Sequence, residues 1–295
     1  MITSYNNKSV REVIQLGQKA KARNKAGLFV VEGMKMFAEA PADRIEKVYV
    51  AQRAQAGLWE QYGDRLGRLS CEIVADEVFD KMSDTKTPQG ILCLVRQFHY
   101  NIEEMLTGKR GKIYISSMAG KEKNMGQAAK AATEKGKKQM LFILLEDLQD
   151  PGNLGTIFRV GEGAGIDGII MSSKTVDVYN PKVIRSTMGS VYRVPFLYVE
   201  DLRAVARMLQ EQGVGVYAAD LAGAKDYDEF DYVKGTAFLV GNEASGLREA
   251  TAACADGILR IPMEGKVESL NAAVASSILL YEAYRQRRKV VLSKH

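Results

Sequence analysis

Short apolar runs alternate with amphipathic stretches along most of the chain, and the spacing of those runs predicts two regions. Residues 7–26 read as a helix, and the run Leu28-Phe-Val-Val31 that follows reads as a strand. Ile45–Ala51 predicts a second strand, Gly57–Leu66 and Ala75–Met82 two helices, and Gly90–Val95 a closing strand. Together they predict a small α/β domain over residues 1–98. From His99 to Gln139 the pattern degrades into Gly, Lys, Ser and Ala, and only Lys112-Ile-Tyr-Ile-Ser116 resembles a strand. This stretch, residues 99–139, is expected to be a linker with an insertion. Beyond it, strands are predicted at Met140–Leu145, Gly168–Met171, Val194–Val199, Val214–Ala218, Thr236–Val240 and Gly257–Ile261, with helical segments between most of them. Strands spaced in this way imply a parallel sheet covered on both faces over residues 140–295, with a ligand at the C-terminal ends of its strands.

Composition narrows the chemistry. The 295 residues are 46% hydrophobic, enough for one large or two ordinary cores. No apolar run reaches membrane-spanning length and the first residues lack the apolar stretch of a secretory signal, so a cytoplasmic protein is expected. Cys71, Cys93 and Cys254 are odd in number and widely spaced, which encodes neither a disulfide framework nor a zinc site. With His99 and His295 the only histidines, a histidine-based triad or metal cluster is excluded as well. The net charge of +5 sits in one place. Residues 101–140 hold nine Lys or Arg against four Glu, while 32 basic residues face 32 acidic ones elsewhere. Such a run serves either as a solvated spacer or as a tether for a polyanion such as RNA.

Three segments of the C-terminal half combine glycines with Asn, Ser or Glu at predicted strand ends. In Asp150-Pro-Gly-Asn-Leu-Gly-Thr-Ile-Phe-Arg159, Asn153 stands where a helix N-cap is expected, and Leu154, Ile157, Phe158 and Gly161 form an apolar stripe. Arg159 lies off that stripe between Gly155 and Gly163, whose bare backbone would let another molecule approach. Val240-Gly-Asn-Glu-Ala-Ser-Gly-Leu247 leaves a strand through a turn carrying one charge, Glu243. Ile261-Pro-Met-Glu-Gly-Lys-Val-Glu-Ser-Leu-Asn271 leads into a helix with Ser269 as its expected cap and Leu270, Val274, Ile278 and Tyr281 as its expected apolar stripe. A fourth pattern, Gly163-Ala-Gly-Ile-Asp-Gly168, fits the dinucleotide fingerprint but ends a helix and enters a strand, the reverse of what the fingerprint requires. Gly165 is therefore read as a helix-ending glycine, and a nicotinamide-dependent oxidoreductase loses its support.

In this order, the three segments resemble the motifs of the SpoU (TrmH-like) family of SPOUT RNA methyltransferases. Lys21-Ala-Arg-Asn-Lys-Ala-Gly-Leu-Phe-Val-Val-Glu-Gly33 and Thr87-Pro-Gln-Gly90 are similar to the substrate-binding domain that often precedes that fold. The resemblance implies an α/β domain tied as a trefoil knot, a rare exception to ordinary topology, working as a homodimer. It implies S-adenosylmethionine as cofactor and methyl transfer to a ribose 2′-hydroxyl of RNA, ribosomal RNA before transfer RNA. A non-catalytic RNA-binding relative is the alternative, and no metal or membrane is implied. Gly241, Ile261, Met263 and Leu270 would surround the adenosyl part. Asn153, Arg159, Glu243, Ser269 and Asn271 would build the reacting side, and Lys21, Arg23 and Lys25 would touch RNA. Arg159 matches the family's catalytic arginine. Because a guanidinium hardly ever gives up its proton, a role in fixing RNA phosphate and stabilising the developing alkoxide is expected for it, with the proton passing to phosphate or water.

Overall fold

The computed structural model describes residues 1–106, 139–267 and 269–292. The strand-like Lys112–Ser116 and most of the basic run lie outside the described residues. The chain divides into two compact units that do not follow chain order. The first holds Met1–His99, Leu148–Glu162 and Thr175–Val194; the second holds Tyr100–Asp147, Gly163–Lys174 and Pro195–His295.

In the first unit the expected helix over 7–26 is two helices, α1 (Lys8–Gln18) and α2 (Ala20–Ala26), because Lys19 turns extended at φ −123° and ψ 115°. Asn7 caps α1 by accepting the Ser9 N–H, and Val10, Val13 and Leu16 form its buried stripe. Strands β1 (Leu28–Glu32), β2 (Ile45–Ala51), β3 (Cys71–Val74) and β4 (Ile91–Arg96) make a sheet in the order β1-β4-β2-β3, antiparallel except for the β2–β3 pair. Helix α3 (Met34–Glu39) and strand β3 have no counterpart in the sequence reading; α4 (Gln55–Leu66) and α5 (Asp76–Met82) match it closely. The Thr87–Gly90 motif is structural. Gln89 Oε1 accepts the Met34 N–H at 2.8 Å, and Gly90, at φ +80°, has no room for a Cβ beside Ala54.

Arg23 requires a correction. It is 3% exposed and ion-paired with Asp177, donating from Nε at 2.9 Å and from a terminal nitrogen at 2.5 Å, and it also donates to the carbonyls of Leu16 and Gly17. A guanidinium spent on four internal acceptor contacts is not available to RNA; Lys21 and Lys25 remain exposed. Arg23→Ala should lower stability by about 3 kcal/mol, because it strips Asp177 of its partner, as read by chemical denaturation. An unchanged midpoint would show that the pair contributes nothing.

The second unit is a seven-stranded parallel sheet in the order β7-β6-β5-β10-β8-β11-β9. Its strands are β5 (Leu141–Leu145), β6 (Gly168–Ser172), β7 (Phe196–Val199), β8 (Gly215–Ala219), β9 (Lys225–Asp226), β10 (Thr236–Val240) and β11 (Gly257–Arg260). All six predicted strands are present. Every residue of β5, β6 and β10 is buried, as expected of central parallel strands covered on both faces. The segment expected to be a linker begins as a packed helix, α6 (Ile102–Leu106), whose Met105 lies in the core of this unit beside Phe142 and Leu209. Burial pushes the Cys93 thiol up to about 12 and the Cys71 thiol to about 11, which suits unreactive structural thiols. Among the described residues no helix is long and apolar enough to cross a membrane, and no group of side chains could hold a metal ion.

Candidate active site

Strands β10, β8 and β11 are neighbours, and a cavity of about 380 Å³ lies over their C-terminal ends. Its walls are Ala219–Leu221 after β8, Val240–Gly246 after β10, and Leu259, Ile261, Met263, Ser269 and Leu270 around β11, closed by Ala272 and Ala275 of the last helix. A parallel sheet leaves its site here because the loops at this edge converge while the strands hold them rigidly. The size is that of a small-molecule site.

The β10 wall is a tight turn. Asn242 and Gly246 exchange backbone hydrogen bonds of 3.1 and 2.9 Å, and Gly246 takes φ +66°. Asn242 Oδ1 accepts the N–H groups of Ala244 (2.9 Å) and Ser245 (3.1 Å), while its Nδ2 donates to the Asp147 carbonyl at 2.8 Å. The polar positions of this turn build the wall before they meet any ligand. A second clamp stands behind it. Buried Glu146 accepts the Arg248 N–H at 2.7 Å and the Thr251 hydroxyl at 2.6 Å. Next to it Asp147, at φ +54°, accepts from Ser172 and from the Arg248 guanidinium. Burial raises the Asp147 carboxyl, but those two donors outweigh it and hold the group below the usual carboxylate range.

After α8 (Pro181–Thr187), α9 (Leu202–Glu211) and α10 (Glu249–Ala252), the β11 wall leads into a long helix, α11 (Ala272–Leu292), and here two expectations change. Asn271, not Ser269, is the cap: its Oδ1 accepts the N–H groups of Ala273 at 2.9 Å and Val274 at 3.3 Å. The buried face of α11 consists of Ala272, Ala273, Ser276, Leu279, Leu280, Glu282 and Ala283, whereas Val274 and Tyr281 of the expected stripe are each 48% exposed. Small residues let this helix press against its own unit around Leu279 and Leu280, while Val274, Tyr281 and Tyr284 face outward.

Of the expected site residues, Gly241, Glu243, Ile261, Met263, Ser269 and Leu270 are brought together around the cavity. Asn271 acts one step away, through the helix it caps. Asn153 and Arg159 belong to the first unit. There helix α7 (Pro151–Ala164) starts earlier than expected: Asp150 caps it by accepting the Asn153 N–H at 2.8 Å, so Asn153 is buried within the first turn. Leu154, Ile157, Phe158 and Gly161 are buried as predicted, and Gly165 ends the helix at φ +76°. Arg159 is exposed on the other side, and its guanidinium has no ion-pair partner among the described residues. Of the flanking glycines, Gly155 is buried in packing, whereas Gly163 is exposed and meets only the end of a tyrosine side chain. A Cβ on Gly155 would stand 2.3 Å from Ser186 Cβ and 2.9 Å from the Val183 carbonyl, and one on Gly163 would stand 2.9 Å from the Tyr281 hydroxyl.

Ala219, Asp220 and Leu221 were not marked by any sequence motif. The signal that could have found them is the C-terminal end of the predicted strand Val214–Ala218, since ligands collect at that edge.

The charged side chains lining the cavity, among the described residues, are Asp220 and Glu243, both acidic. A phosphate-bearing ligand would meet repulsion there without a compensating cation, whereas a cationic, phosphate-free nucleoside fits the sign and the apolar walls.

Comparison with known proteins agrees with this geometry. The profile of the SpoU rRNA Methylase family matches residues 140–281, and that of the MRM3-like substrate binding domain matches residues 7–93. The chain is 28% identical over 288 residues to the 23S rRNA (guanosine(2553)-2'-O)-methyltransferase RlmP of Bacillus subtilis, covering 95% of this chain and 97% of that one. It is 30% identical over 189 residues to the putative TrmH family tRNA/rRNA methyltransferase YacO of the same organism, covering 64% of this chain and 76% of that one. Among solved structures, the AdoMet-bound rRNA methyltransferase from Sinorhizobium meliloti matches with a TM-score of 0.75 at 28% identity, over 96% of this chain and 97% of that one.

Proposed function

Because the chain belongs to the SpoU (TrmH-like) family of RNA methyltransferases, we propose that it transfers the methyl group of S-adenosylmethionine to a ribose 2′-hydroxyl of ribosomal RNA. The observation that carries this reading is the cavity over β10, β8 and β11, which gathers the second and third motifs and presents carboxylates without a basic side chain among its described lining residues. When bound, the donor supplies a carbon already activated by its sulfonium. Gly241, Ile261, Met263 and Leu270 would hold it through backbone and apolar contact. Glu243 and Ser269, at the polar part of the wall, would orient the ribose that receives the methyl group. Arg159 would bind RNA phosphate and offset the negative charge that develops on the attacking oxygen. Asn271 would support these groups through the helix it caps, and Asn153 from the buried first turn of α7.

End-to-end similarity to an enzyme named for 23S rRNA favours ribosomal over transfer RNA. Such an enzyme would work in the cytoplasm. In the same reading, residues 1–98 present RNA, 99–139 join the two parts, and 140–295 form the knotted methyltransferase domain. Incubation with methyl-labelled donor and ribosomal RNA from cells lacking the gene should place label on ribose 2′-oxygens. Label confined to transfer RNA would change the substrate, and absence of label from any RNA would count against the activity.

The homodimer of this proposal would use the outward face of α11. Val274, Tyr281 and Tyr284 are 48%, 48% and 39% exposed there, and Ile278, Tyr281, Tyr284 and Leu292 line one groove. An apolar stripe of this kind on a family helix is what a two-fold, self-complementary contact uses. Tyr284→Asp should shift sedimentation from twice the chain mass to once; a monomeric wild type, or a mutant that stays dimeric, would place the contact elsewhere.

A further inference from the structure

Asp220 stands in the cavity without belonging to any of the three motifs. Its turn is held on several sides. The Asp220 N–H donates to the Leu259 carbonyl at 3.0 Å, the Gly223 N–H donates to the Asp220 carbonyl at 3.1 Å, and the Ala222 N–H donates to Asp220 Oδ1 at 2.9 Å. Gly223 completes the arrangement: a Cβ there would stand 2.6 Å from the Leu259 carbonyl carbon and 2.8 Å from the Arg260 nitrogen, so the turn lies directly on the backbone of β11. The Asp220 carboxylate is thus fixed in place. Oδ1 serves one backbone N–H, and Oδ2 accepts no hydrogen bond among the described residues. On the opposite wall Asn242 is committed on both its side-chain atoms to the turn around it.

A fixed carboxylate with an open oxygen, at the C-terminal end of a parallel strand, matches the two hydroxyl donors of a ribose. We propose that Asp220 accepts hydrogen bonds from the ribose hydroxyls of the donor nucleoside, and so selects a ribonucleoside donor. Asp220 is a specificity-determining residue in this assignment, which rests on the reading that the cavity takes S-adenosylmethionine. The competing role for the same carboxylate is an ion pair with the amino group of the donor's methionine part.

Calorimetric titration of the full chain with three probes separates these roles. They are S-adenosylhomocysteine, 5′-methylthioadenosine, which lacks the amino-acid part, and the 2′,3′-dideoxy analogue of S-adenosylhomocysteine. Asp220→Asn keeps an oxygen for the Ala222 N–H and nearly the same volume. It should bind S-adenosylhomocysteine and 5′-methylthioadenosine each about tenfold more weakly than wild type, and the dideoxy analogue equally well. Independently of any variant, wild type should lose about the same factor on going from S-adenosylhomocysteine to its dideoxy analogue. A deficit that vanishes with 5′-methylthioadenosine would overturn the assignment in favour of the amino group. Equal binding of all probes by variant and wild type would overturn it alone, whereas a wild type that binds none would overturn the reading of the cavity and this assignment with it.

Discussion

Arg159→Ala is expected to lower single-turnover methyl transfer by about a hundredfold or more while leaving donor binding and stability unchanged. The size follows from removing one charged stabiliser of a developing oxyanion. The separation of effects follows from where the residue sits. Leu154, Ile157 and Phe158 anchor α7 through its buried side, and Arg159 projects from the exposed side with no ion-pair partner among the described residues. Truncation there removes no packing, and alanine suits a helix at least as well as arginine. Its role is therefore testable without the ambiguity of a damaged fold. An unchanged single-turnover rate would remove Arg159 from the reacting side, and a parallel loss of donor affinity would make it part of the donor pocket instead.

Gly241→Ala should abolish donor binding, by a hundredfold or more on the order expected when a pocket wall is displaced, and should cost about 1–3 kcal/mol of stability. An added Cβ would stand 2.1 Å from the Gly246 carbonyl carbon and 2.3 Å from both its oxygen and the Leu247 nitrogen. All three are backbone atoms, so no side chain can rotate away. The turn would have to open, breaking the paired hydrogen bonds of Asn242 and Gly246 and moving Glu243 and Ser245 out of the wall. Gly246→Ala is the control. Its Cβ would meet nothing within 4 Å, and only its φ of +66° opposes a side chain, at about 1 kcal/mol. Calorimetry and thermal melting of the pair should show binding lost in the first and retained in the second; equal binding in both would mean that the turn is not a wall of the donor site.

The strands of the second unit were legible in the sequence because a central parallel strand is an uninterrupted apolar run, as in Leu141-Phe-Ile-Leu-Leu145 and Thr236-Ala-Phe-Leu-Val240. The two-residue strand β9 carries no such signal, and Cys71-Glu-Ile-Val74 is too short and too polar to declare itself. Most of the cavity was legible too, since Gly241, Glu243, Ile261, Met263, Ser269 and Leu270 lie in motifs. What escaped depends on distant parts of the chain. Arg23 looked like one charge in a basic run until Asp177, 154 residues away, buried it. Gly155 looked like bare backbone beside Arg159, but Ser186 and the Val183 carbonyl fill that space. The helix starts slipped from Asp150 to Asn153 and from Asn271 to Ser269, because each segment offers two residues able to cap and periodicity alone does not choose between them. In α11 two apolar faces compete, Leu279 and Leu280 on the buried one and Val274 and Tyr281 on the outward one, and helical periodicity alone does not choose between them.

The pocket shared by the loops after β8, β10 and β11 is the proposed donor site, on which methyl transfer depends. Titrating the purified full chain with S-adenosylmethionine tests it most directly: saturable uptake at one site per chain is predicted, and no uptake at millimolar donor, with or without RNA, would contradict it.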